Sequence, residues 1–233
     1  MKRLARFSPS LIVWLLLAAP AVAQTEYRFE LFAGGSFPVD KDFIIGQPQA
    51  SPPMKGSYQF SNAFRGGVRF GADFKKYWGE DILYSYGSNS SRILNTTDPS
   101  NPATFPFSFN SHQVAFNMLW YPTGTDAAKK VFPYVTAGVG TTFFSISGEE
   151  INAALEAGLP KLQSEHIFAF NAGGGVRLKL NPHIGLRLDA RDYMTRSPRF
   201  GLPESSDDPA VWVFPTSGVF HQMEVSFAFI YYF

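Results

Sequence analysis

The end of the chain alternates with a period of two. Met223, Val225, Phe227, Phe229, Tyr231 and Phe233 fall on one side, with Gln222, Glu224, Ser226, Ala228, Ile230 and Tyr232 on the other. That period puts the two sets on opposite faces of a β-strand. Seven earlier segments share it: 27–35, 63–75, 81–89, 111–121, 132–144, 167–179 and 184–193. In the second, Phe64, Val68, Phe70 and Phe74 oppose Arg65, Arg69 and Asp73. In the seventh, Ile184, Leu186 and Leu188 oppose Arg187, Asp189 and Arg191. A tilted strand needs about 9–11 residues to cross hydrocarbon, and these runs have that length.

The connections alternate too. Those after the first, third, fifth and seventh segments are long, at about 36–62, 90–110, 145–166 and 194–218. Those after the second, fourth and sixth are short, at 76–80, 122–130 and 180–183. Long loops at one end and tight turns at the other describe an all-β fold. It is an eight-stranded antiparallel up-and-down transmembrane β-barrel, with long extracellular loops and short periplasmic turns. A soluble sandwich has no reason to keep that rhythm.

Aromatic residues make up 16% of the chain and charged ones 17%, yet the mean hydropathy is only −0.07. Rings therefore alternate with polar residues instead of forming long apolar runs. Many also fall at segment ends. Tyr27, Tyr77, Trp78, Trp120, Tyr121 and Tyr231, with Phe132, Tyr134, Tyr232 and Phe233, predict a belt at the periplasmic end. Phe143, Phe144, Phe168, Tyr193 and Phe220 stand at the other end. Rings of this kind settle at membrane–water boundaries.

Eight strands enclose a space that their own side chains fill. On the polar face lie Arg28, Glu30, Arg65, Arg69, Asp73, Arg177, Arg187, Asp189, Arg191 and Glu224. An unpaired buried ion costs several kcal/mol, so these residues are expected to pair in an arginine–carboxylate ladder with Glu30, Asp189 and Glu224 at its centre. Such a ladder leaves at most a narrow pore. Inward glycines leave room for the long arginine side chains.

Residues 1–23 read as a cleaved secretory signal peptide. Lys2, Arg3 and Arg6 precede the apolar run Leu11–Ala19, and Ala21-Val22-Ala23 supplies the small residues before the cut. The run is too short to span a bilayer. Residues 24–233 then form one barrel domain. The mature chain carries 17 basic and 19 acidic residues, a charge of −2, so nothing calls for nucleic acid. The absence of cysteine excludes disulfides, thiol nucleophiles, cysteine-based zinc sites and a lipoprotein anchor.

The final MEVSFAFIYYF, alternating and ending in Phe, resembles the C-terminal assembly signal of outer-membrane barrels, here Phe229, Tyr231 and Phe233. Across residues 27–233 the chain resembles the eight-stranded outer-membrane protein β-barrel domain family, similar to the transmembrane domain of outer-membrane protein A. The resemblance implies insertion by the barrel-assembly machinery after escort by periplasmic chaperones. The expected localisation is the cell outer membrane, as a monomer surrounded by outer-membrane lipid and lipopolysaccharide, with a structural or surface-interaction role. It supplies no ligand, and no cofactor, metal or catalytic residue is expected.

Two alternatives remain. A lipid A-modifying outer-membrane enzyme needs a His–Ser pair with a carboxylate on the outer rim. Ser111-His112, and His221 near Ser217, are the places for it. A soluble periplasmic ligand-binding β-barrel needs a continuous apolar interior, which the Arg- and Glu-bearing face opposes. Gly173-Gly174-Gly175 follows a strand with no helix after it, so it is not a phosphate loop. Glu204, Asp207 and Asp208 read as a solvated loop, and residues 149–157 as a short helix without chemistry.

Overall fold

In the computed structural model, residues 25–233 are described, apart from 40–41, 52, 96–102, 127, 157 and 216–217. The leader thus lies outside the described residues. Among the described residues, ten strands and one helix follow in chain order: β1 Glu26–Pro38, β2 Asp42–Gln47, β3 Met54–Phe60, β4 Ala63–Lys75, β5 Trp78–Asn95, β6 Ala103–Trp120, β7 Val131–Ser145, α1 Gly148–Glu156, β8 Glu165–Lys179, β9 Ile184–Arg196 and β10 Val219–Tyr232.

Eight of these strands close a ring. Each of β4 to β10 pairs antiparallel with the next, and β1 pairs with both β4 and β10. Leu31 sits opposite Phe229 on one side and Val68 on the other. Closure leaves the ring no sheet edge with unpaired N–H and C=O groups. The eight ring strands are the eight segments with a period of two.

The alternation decides the faces. Phe29, Leu31, Phe64, Phe70, Phe227 and Phe229 are exposed on the outer surface, while their polar neighbours in sequence are buried inside. At the turn end, β4 and β5 are joined by Lys76-Tyr77 alone and β8 to β9 by Leu180–His183. The Asn181 side chain accepts from the N–H groups of His183 and Ile184, both at 2.8 Å, and so fixes the second turn.

The loop end differs from the expectation in two ways. Most of the loop expected at 90–110 is strand, because β5 runs to Asn95 and β6 begins at Ala103, each 18 residues long, and they pair from Trp78–Trp120 to Asn95–Ala103. The first connection also holds a hairpin, β2–β3, whose second strand pairs with β5 from Gly56–Asn95 to Phe60–Ser91. The third connection holds α1, one residue earlier than expected. Ser147 caps it, its hydroxyl accepting from the Glu150 N–H at 3.2 Å, and Gly158 stops it at φ 75°.

The ring encloses two unlike regions. Toward the loop end lies an apolar core, or cap, built from Phe107 and Phe109 of β6, Phe144 of β7, Phe220 of β10, and Phe200 and Phe214 of the last connection. The Phe109 ring lies 5.7 Å from that of Phe144 and 5.5 Å from that of Phe200. Gly46 and Val213 exchange backbone hydrogen bonds of 3.1 and 2.8 Å and tie the hairpin over this core. Phe200 has a φ of 52°, unusual for a residue with a side chain, and Glu165 holds it by accepting its N–H at 2.9 Å. Toward the turn end the interior is charged.

Candidate functional site: the enclosed charge network

Every charged residue assigned to the polar face is buried inside the ring. Position follows from register. Glu30 on β1 lies beside Arg69 on β4, and Arg191 on β9 beside Glu224 on β10. The interior thus receives six arginines and five carboxylates, counting Asp81, so all but one of the charges have a counterpart.

The lowest tier centres on Asp73. It accepts from Arg28 at 2.7 Å, Arg177 at 2.6 Å and the Tyr121 hydroxyl at 2.9 Å. Arg28 also donates to Glu30 at 3.0 Å and to the carbonyl of Glu80 at 3.0 Å. The second tier centres on Arg187. Its Nη1 reaches the Glu30 oxygens at 2.9 and 3.0 Å and Asp81 at 3.2 Å, its Nη2 reaches Asp189 at 3.0 Å, and its Nε reaches the Tyr134 hydroxyl at 2.6 Å. Arg191 completes this tier with a 2.6 Å bond to Asp189. Tyr134 also hydrogen-bonds Asp189. These are charge-assisted bonds between fully enclosed groups.

The third tier is looser. Arg69 donates to Ser226 at 3.1 Å and stands 3.6 Å from both Glu30 and Asp189. Arg65 bonds neutral partners: Gln113 at 3.0 Å, Gln222 at 2.9 Å, and Ser85 and Ser111 at 3.3 Å each. Glu224 differs from its expected central place. Its closest cations are Arg65 at 3.8 Å and Arg69 at 3.9 Å, and neither carboxylate oxygen has a hydrogen-bond partner. Asp81 stands in the centre instead, bonded to Asn117 at 2.6 Å as well as to Arg187. The register could have revealed it, since Asp81 is in phase with the inward Leu83, Ser85 and Gly87.

Four residues expected in the belt at the turn end, Tyr121, Phe132, Tyr134 and Tyr232, lie inside the ring instead. Tyr27, Tyr77, Trp78, Trp120 and Tyr231 are exposed on the outer face, as is Phe233. Tyr121 is not: it is fully buried and forms the floor of the lumen with Phe132, Tyr134 and Tyr232. The cause is phase and electrostatics together. Position 121 continues the inward set of β6, and Arg177 lies over the Tyr121 ring at 4.6 Å. Arg187 lies over Tyr134 at 4.6 Å in the same way. At the loop end Phe168 faces outward, while Phe144, Tyr193 and Phe220 turn inward.

Close approach explains two glycines. A Cβ on Gly71 would stand 2.6 Å from Nη2 of Arg28, and one on Gly175 would stand 2.4 Å from the Tyr134 hydroxyl. Both positions are open so that the network's side chains can cross them.

Among the described residues, neither candidate place brings a serine together with a histidine and a carboxylate. Ser111 is buried in the lumen, whereas His112 lies on the outer face against Tyr84, whose hydroxyl is 3.0 Å from Nδ1. His221 pairs with Asp192 at 2.6 Å, and Ser217 lies outside the described residues.

One solved outer membrane protein shares this architecture. The outer membrane protein OprG from Pseudomonas aeruginosa superposes with a TM-score of 0.56 at 15% identity, covering 89% of this chain and 95% of that one. Neisserial surface protein A gives a TM-score of 0.48 at 14% identity, covering 90% and 99%. No curated protein sequence matches the chain significantly. The sequence model of the outer membrane protein beta-barrel domain matches residues 10–233, and the chain belongs to that family of outer-membrane β-barrels.

Proposed function

We propose that this protein is a sealed outer-membrane barrel that acts as a surface scaffold, with at most a narrow pore. The carrying observation is the pair of unlike barriers across the lumen. An arginine–carboxylate network fills the turn-end part, and the phenylalanine core fills the loop-end part. A hydrated solute meets fixed paired charges in one and a dry apolar layer in the other. The loop end, with the β2–β3 hairpin, α1 and residues 197–215, faces the outside, and both termini face the periplasm. The leader is removed on export, and assembly ends with the alternating C-terminal strand.

Planar-bilayer recording tests the sealed lumen. The unmodified protein is expected to give no porin-like current, and large, stable conductances would overturn the reading. Protease added to intact cells tests the orientation. Cuts confined to the long connections support it, and complete protection with cutting only after permeabilisation refutes it.

A further inference from the structure

The outer wall is not evenly convex. Strands β6 to β9 and the start of β10 enclose an apolar trough of about 1030 Å³. Ala137 and Gly138 form its floor, between Phe116 and Met118 on one flank and Phe168 and Phe170 on the other. Phe168 and Phe170 pack edge-to-face at 5.0 Å, which makes that flank a stiff ridge. Ala137 and Gly138, with Val139 in register between Phe116 and Phe170, leave an apolar depression open on the outer face.

The upper end is different in chemistry. His166 and Arg196 line it at the loop end of β8 and β9. The Arg196 side chain is 57% exposed and pairs with Glu165 through one nitrogen. The second Glu165 oxygen accepts the N–H groups of Arg199 and Phe200 at 2.7 and 2.9 Å. His166 is exposed, its ring 4.7 Å from that of Phe143 and its Nδ1 3.4 Å from the Thr141 hydroxyl. The other nearby carboxylate, Asp192, is engaged by His221. Arg199, bonded to Glu204 at 2.9 Å, adds a polar pair beyond Glu165. A guanidinium fork above an apolar seat suits a phosphate ester attached to hydrocarbon, and polar side chains beyond it suit a sugar.

We propose that the trough seats one acyl chain of a phosphorylated, acylated glycolipid of the outer leaflet, with a head-group phosphate held between Arg196 and His166. The proposal rests on the outward orientation of the loop end. Basic sites beside apolar grooves recognise lipid head groups in this way, beyond the general solvation that any membrane wall receives.

The test uses the full mature protein in nanodiscs of phosphatidylcholine, titrated with purified lipid A or with phosphatidylglycerol, and read by native mass spectrometry. One retained lipid A per barrel is expected, with phosphatidylglycerol retained at least tenfold less well. Ala137→Phe, which raises a ring from the floor of the trough, and Arg196→Gln, which removes the phosphate partner, are each expected to weaken retention about tenfold, or 1.4 kcal/mol. The heat-modifiability shift on gels should remain in both variants, showing that the barrel is intact. Equal retention by parent and variants, or equal retention of phosphatidylglycerol, overturns the glycolipid seat. Failure of the parent to enter nanodiscs would overturn the membrane reading itself, and protease cuts on the wrong side of the membrane would overturn the orientation.

Discussion

Arg187 and Glu30 stand 157 residues apart in the chain and meet inside the ring, with one guanidinium nitrogen 2.9 and 3.0 Å from the two carboxylate oxygens. Both side chains are fully enclosed. Their contact joins the Asp73 tier to the Asp189 tier, so the two groups of charges behave as a single network.

Removing Glu30 leaves Arg28 and Arg187 short of a counter-charge. Breaking a buried pair from one side costs about 3–5 kcal/mol, and Glu30→Ala should approach that figure in urea titrations of the refolded barrel. Glu224→Ala should cost less, because Glu224 makes no hydrogen bond and stands 3.8 Å from its nearest cation. An equal or larger loss for Glu224 would contradict the tiered arrangement.

Phe227 faces outward at 54% exposure between the two ends of β10. Replacing it with Arg places a charge against hydrocarbon. The expected loss is about 2–4 kcal/mol at the bilayer midplane, measured by folding titration into lipid vesicles. No loss would mean that the outer face is not in lipid.

Gly175→Ala should lower the folded yield sharply. The added Cβ would meet the Leu188 carbonyl oxygen at 2.1 Å and the Tyr134 hydroxyl at 2.4 Å, and the first of these is backbone that cannot step aside. Gly148→Ala is the control, since a Cβ there meets nothing within 4 Å. The heat-shifted fraction on a gel compares the two, and similar yields would refute the close approach.

Phe109→Ala empties the middle of the apolar cap, with an expected cost of about 3–5 kcal/mol. The charge network beneath remains, so bilayer recordings should still show no large current. A porin-like current from this variant would show that the cap alone closes the lumen.

Deleting Phe233 should matter in cells more than in the finished barrel. Its N–H donates to the Tyr27 carbonyl at 3.1 Å, and its ring is 69% exposed on the outer face, so little packing is lost. Reduced outer-membrane levels alongside near-normal refolding in detergent are expected, for the deletion and for Phe233→Ala. If both forms reach the membrane as well as the parent, the C-terminal strand does not end in an assembly signal.

All eight ring strands, their membrane-facing sides and the three tight turns were legible in the sequence, while most of the long loop expected at 90–110 is strand. Each depends on a local rule: the two-residue period of a strand combined with hydrocarbon outside and polar groups inside. Phe70 opposite Arg69 needs no knowledge of the rest of the molecule. The cap escaped that reading although a signal exists. Along β6 the apolar set changes phase, from Phe105, Phe107 and Phe109 to Val114, Phe116, Met118 and Trp120. Such a change marks the height at which the strand leaves lipid, where the greasy face turns inward and Ser108 turns outward.

Tertiary structure alone decided which charge meets which. Alternation places Arg187, Glu30 and Asp81 inside, but their contact depends on the register of three strands that are not neighbours around the ring and on the reach of side chains across the lumen. Tyr121 follows the same logic. A tyrosine at a strand end suits either a membrane boundary or a buried carboxylate, and the choice was made by Asp73 and Arg177, which arrive from 48 residues before it and 56 after. Pairing energies inside a barrel are set by distances that exist only once the ring has closed.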